Sequence, residues 1–170
     1  MERLARRSTG RRADGWLIAY AAVAAAAAVL PAPRPPAQRR RNRLGVVTGV
    51  ALAGGGYPAG RALAGDRPVD PPPDDGWREV LALGAVVPLA EELAWGRQVE
   101  RRVGPVAATA LFAVKHPLVD GRWRRTPGLG AFWLGLALVR RRSPAAAAAL
   151  HCTVNAGGVA LGRIKGVDQF

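Results

Sequence analysis

Six apolar runs with arginine at their borders leave this chain few folds to adopt. The runs are Trp16–Leu30, Leu44–Ala64, Val80–Trp95, Val103–Val114, Pro127–Val139 and Ser143–Gly162. Arginine clusters at Arg3–Arg12, Arg39–Arg43, Arg97–Arg102, Arg122–Arg125 and Arg140–Arg142 border them. No run sustains period-2 alternation, which argues against a β-barrel, and helix is the reading for all six. The expected fold is therefore all-α. Basic residues at the ends of apolar segments are the pattern of membrane-protein loops, where they anchor spans and bias orientation. A polytopic membrane bundle of about six apolar helices, some short, is the expected architecture.

Length qualifies that expectation. A single span needs about 20 apolar residues, and only the second and last runs approach it. Runs of 10–14 also suit the core of a soluble Ala-rich bundle. Short membrane helices require that their polar ends face an internal cavity. The first run, with its basic start and Ala-rich centre, also fits a signal sequence. The 170 residues suit one domain. Residues 1–79 form a basic segment with two apolar helices and polar loops, 80–162 a helical core, and 163–170 a tail. Of the loops, Pro31–Arg43 is basic and Gly65–Glu79 acidic, which would place the first in the cytoplasm and the second outside.

The net charge of +13 would attract phosphate strongly. The arginines bracket apolar runs, however, with only Trp123 interleaved among them, so no nucleic-acid partner is expected. Cys152 is the sole cysteine, which excludes an intrachain disulfide and a thiolate metal cage.

Inside the runs the polar residues are few: Glu91 and Glu92, His116, and His151 with Asn155. Eleven uncharged residues, Val80–Ala90, precede the two glutamates. A carboxylate at the centre of a membrane helix costs about 2.5–3.5 kcal/mol, so such groups face the bundle interior and find partners. His151 and Asn155, four apart, share a helix face, as do Phe112 and His116. Glu91 and Glu92 diverge by about 100°, so one can point at a common centre while the other serves a neighbouring helix. Pro117 disfavours helix at His116 and should place it at a helix end, and Pro88 and Pro105 should kink or bound their helices.

The chemistry such a set offers is hydrolysis. A carboxylate can act as general base on a water that an imidazole fixes. A second imidazole and a carboxamide can donate to an oxyanion. A Glu/His/His set could instead ligate a divalent metal such as zinc, although no HExxH signature is present.

Three segments carry a resemblance: "EELAWGR" (Glu91–Arg97), "FAVKH" (Phe112–His116) and "HCTVN" (His151–Asn155), in order on separate apolar runs. Together they resemble the CPBP family of intramembrane proteases, also called the Abi or CAAX-protease family. Its pattern is EExxxR, then FxxxH, then HxxxN or HxxxD, on successive membrane helices. The match spans about half of the chain, Val80–Leu161, including the Gly- and aromatic-rich run Gly128–Arg142.

The resemblance implies an integral membrane endopeptidase, expected in the plasma membrane, acting on a membrane-associated protein or peptide amid membrane lipid. By motif position Glu91 or Glu92 with His116 would activate water, and His151 with Asn155 would stabilise the oxyanion. If a metal is used, Glu91, His116 and His151 would hold it. One departure stands out. The motif's arginine falls four residues after its second glutamate; here Gly96 takes that place and Arg97 follows. Either Arg97 reaches back through a local distortion or the arginine's role is vacant. A vacant role would suit the alternative function, a catalytically silent membrane scaffold or immunity-type protein. Lys115, beside His116, adds an unexpected cation.

Overall fold

A computed structural model describes residues 11–32, 43–65, 80–165 and 167. The backbone is helical throughout its main elements. They are α1 (Arg11–Val29), α2 (Arg43–Ala64), α3 (80–103), α4 (Pro105–Asp120), a 3₁₀ turn (Trp123–Arg125), α5 (Thr126–Arg140) and α6 (Pro144–Lys165). Each apolar run becomes one helix. The orientation expected from the loop charges falls mainly on residues 33–42 and 66–79, outside the described ones.

α5 is the central helix. Leu129, Phe132, Trp133, Leu136, Ala137 and Val139 are all buried along it, and it packs on α2, α4 and α6. Its tightest partner is α2, because glycines let the two backbones touch. A Cβ on Gly56 would lie 2.6 Å from the Phe132 backbone nitrogen, and one on Gly135 would lie 2.5 Å from the Gly49 carbonyl oxygen. Gly128 in turn sits against the backbone of Gly60. Small residues on both helices are what permit so close an approach of the backbones. Of the three consecutive glycines in α2, Gly54–Gly56, the last is thus a packing device, while the other two face open space. Gly128→Val should destabilise the bundle by about 3 kcal/mol, the upper end for overpacking, since backbone cannot move aside; chemical unfolding in detergent micelles checks this.

α3 contains two π-helical stretches, Ala82–Val86 and Glu92–Val99, with the turn Val87–Glu91 between them. Pro88 lies in that turn; its ring would crowd the carbonyl four residues back, and the wide turn preceding it relieves that crowding. α3 also runs eight residues beyond the expected end at Trp95. Its far half is pinned to α1 by Gln98, whose Nε2 donates to the carbonyls of Ala27 (2.9 Å) and Leu30 (3.2 Å). These carbonyls end a helix and need partners.

α4 starts at Pro105 after Gly104, whose φ of 85° breaks α3 from α4. It continues one turn past Pro117, to Asp120. His116 is therefore not at a helix end as expected: Pro117 is fully buried, and packing outweighs its local preference.

Large apolar side chains stay exposed on five helices. They include Ile18 and Val29 on α1, Leu44 and Val47 on α2, Leu89 on α3, Val106 and Leu118 on α4, and Ile164 on α6. By length and composition one described helix, Pro144–Gly162, could cross a membrane, and Ile18–Val29 is a shorter apolar stretch. The second apolar run, expected to approach a span, does not meet that standard.

Candidate functional site

The change of helical type in α3 occurs between the two glutamates. Glu91 closes the α-helical turn, and Glu92 opens the second π stretch. Both carboxylates are buried, yet they face different neighbours.

Glu91 lines a cavity of about 40 Å³, ample for a water, which needs about 10–15 Å³. His116 of α4 and His151 and Asn155 of α6 line the same cavity. Tyr57, Arg61, Arg122 and Arg125 line it as well. Four of the five expected site residues, from three helices, thus share one space. Glu92 is the fifth and does not line it.

His151 is enclosed on several sides. Its ring is 1% exposed, with Phe132 and Trp133 edge-on at 5.0 and 5.9 Å between centroids. Nδ1 lies 3.0 Å from Glu92 Oε1. Nε2 lies 3.5 Å from Glu91 Oε2, too long for a good hydrogen bond. An ionised carboxylate only accepts, so the hydrogen of the Glu92 contact is on Nδ1. One turn on, Asn155 Nδ2 donates to the Leu83 carbonyl at 3.4 Å, tying α6 to α3. His116 packs edge-on to Phe112, with centroids 4.9 Å apart.

Two cations complete the arrangement. Lys115 Nζ pairs with Glu91 Oε1 and sits over the rings of Trp95 and Phe112, at 4.9 and 4.3 Å from their centroids. Arg140 of α5 forks onto Glu92: Nε donates to Oε2 at 2.8 Å and Nη2 to Oε1 at 2.9 Å. Its Nη1 also pairs with Glu100. The sequence-based expectation about Arg97 is corrected here. The guanidinium on Glu92 comes from Arg140, so the role is neither vacant nor filled by Arg97. Sequence reasoning took Arg140 for a border anchor, and nothing local identifies it, because its partner lies 48 positions away. Lys115 was legible as an odd cation, but its pairing with Glu91 was not.

Among the described residues no group of three His, Cys, Asp or Glu side chains is arranged as placed to hold a metal. Glu91 Oε1 already holds a cation, Lys115, while the Nδ1 contact of His151 with Glu92 leaves Nε2 as the nitrogen that a ligand would meet. The arrangement has room for a water: a carboxylate with one oxygen still available, flanked by imidazoles and a carboxamide. No protein-family model, no curated protein and no solved structure matches the chain.

Proposed function

We propose that the protein is an integral membrane endopeptidase that hydrolyses a peptide bond of a membrane-associated protein or peptide, using a water activated by Glu91. The observation that carries the reading is the single cavity lined by Glu91, His116, His151 and Asn155. The resemblance to the CPBP family of intramembrane proteases supports it. So do the glycine contacts of α2 with α5 and the apolar side chains exposed around the bundle, which suit a lipid surround of several spans in the plasma membrane.

Each step balances. Lys115 holds Glu91 Oε1 and leaves Oε2 toward the cavity, where it takes a proton from a water that His116 helps to fix. The hydroxide formed attacks the scissile carbonyl carbon. The oxyanion accepts a hydrogen bond from Asn155 Nδ2, and the bare Nε2 of His151, whose hydrogen sits on Nδ1, accepts one from the attacking water. As the C–N bond breaks, Glu91 passes its proton to the leaving amine. No step runs through a metal.

The reading is tested with purified protein in lipid vesicles carrying a membrane-anchored peptide library. Asn155→Ala should lower kcat by about 10²–10³-fold, the usual loss of one oxyanion donor. Alanine variants of Glu91, His116 and His151 that all matched wild type would sink the proposal.

A second reading is a catalytically silent membrane scaffold. It is favoured by the cation already seated on each glutamate, as in a purely structural ion-pair chain. A biological effect surviving the combined loss of Glu91 and His151 would support it.

A further inference from the structure

Arg140 does more than neutralise a buried charge. Its guanidinium is bounded on every side. Two of its nitrogens fork onto Glu92, the third pairs with Glu100, and the Trp133 ring centroid lies 4.7 Å from Cζ. The remaining side is Gly96. A methyl group there would lie 2.6 Å from Arg140 Nε and 2.9 Å from Cζ, so the guanidinium occupies the space that any side chain at 96 would need. Gly96 is four residues beyond Glu92, close to one turn on, and itself carries no side chain that could reach it.

We infer that Arg140, admitted over Gly96, is a positioning residue that orients His151 in the cavity through Glu92. Both forked bonds fix the carboxylate plane of Glu92, because a planar guanidinium accepts only one arrangement of two parallel bonds. The fixed Glu92 Oε1 then takes the Nδ1 hydrogen of His151 at 3.0 Å, and this sets the ring's tautomer and turns Nε2 toward Glu91 and the cavity. Gly96 and Arg140 thus form a unit: an arginine supplied from α5 and the absence of a side chain on α3 that lets it in. The catalytic consequence rests on the endopeptidase reading; the effect on His151 rests on geometry alone.

The chain has two histidines, so ¹⁵N-labelled imidazoles give two ring spin systems in detergent micelles. In the wild type the His151 ring should show one form with a hydrogen-bonded Nδ1–H. Arg140→Ala should replace it by an exchanging mixture. Gly96→Ala should do the same with the bundle still folded, since the added methyl meets the mobile end of a side chain, not backbone. Arg140→Lys, which keeps the charge but not the fork, should fall between. In the vesicle assay Arg140→Ala and Gly96→Ala should lower kcat by about 10²-fold, the scale of an ångström's misplacement, with KM changed by no more than about twofold. The exchange Gly96→Arg with Arg140→Ala, which returns a guanidinium to the same space from the other side, should restore the single His151 form.

An unchanged His151 ring in both Arg140→Ala and Gly96→Ala overturns the inference. So does an altered ring that the exchange variant fails to restore, because that result assigns the change to lost packing. A wild type that cleaves nothing, with the ring changes and their restoration as expected, sinks the endopeptidase reading and leaves the positioning role standing.

Discussion

Glu91→Gln is expected to lower kcat for peptide cleavage by about 10²–10⁴-fold, the usual contribution of a positioned general base, with the bundle intact. The amide has the same shape as the carboxylate, and its oxygen still accepts from Lys115, so the packing around position 91 survives. The second carboxylate oxygen, the proposed acceptor of the water's proton, does not. Lys115 loses its counter-charge, but its side chain is 26% exposed and lies over two aromatic faces, which soften the loss. The check is kcat in vesicles alongside the unfolding midpoint in micelles. A rate within a few fold of wild type at unchanged stability would remove Glu91 from the chemistry.

Glu92→Ala should do the opposite and strike the fold. Arg140 and Glu92 side chains are 10% and 7% exposed, and the Glu92 carboxylate serves both Arg140 and His151. Removing Glu92 leaves Arg140 with Glu100 alone and His151 Nδ1 without its acceptor, and costs about 3 kcal/mol, the lower end for breaking a buried pair. Domains are typically stable by only about 5–15 kcal/mol, so much of the margin would go. Glu91→Ala should cost distinctly less, because its partner Lys115 reaches solvent more easily. Denaturant titration of the two variants in the same micelles measures the difference. Equal losses would contradict the division of labour between adjacent glutamates.

The six helices were legible because each apolar run is a local property, and hydrophobic runs bounded by arginine need no partner to be read. The end of α3 was not. Glu91 to Arg102 looked like the close of an apolar run, yet the helix carries these polar side chains onward because Arg140 and Lys115 pair with its glutamates and the α1 carbonyls accept from Gln98. Divergence of Glu91 from Glu92 followed from helical geometry alone. Which glutamate meets the cavity did not, since it depends on where the π stretch begins. Gly96 was noticed as a missing arginine. Its meaning as an opening for Arg140 was invisible, because a glycine's use lies in what occupies the space above it. His116 was misplaced for a related reason, since a local proline rule cannot anticipate burial of Pro117 between helices. The glycines at 56 and 128 serve as contacts in three dimensions, which depends on the partner helix and not on their own surroundings in the chain.

The most direct test of a Glu91-activated water is cleavage of the membrane-anchored peptide library in vesicles made up in H₂¹⁸O, with product termini read by mass spectrometry. New carboxyl termini carrying ¹⁸O from the wild-type protein, and none above background from Glu91→Gln, are the expected result. The same termini from both proteins, or none from the wild type, would contradict it.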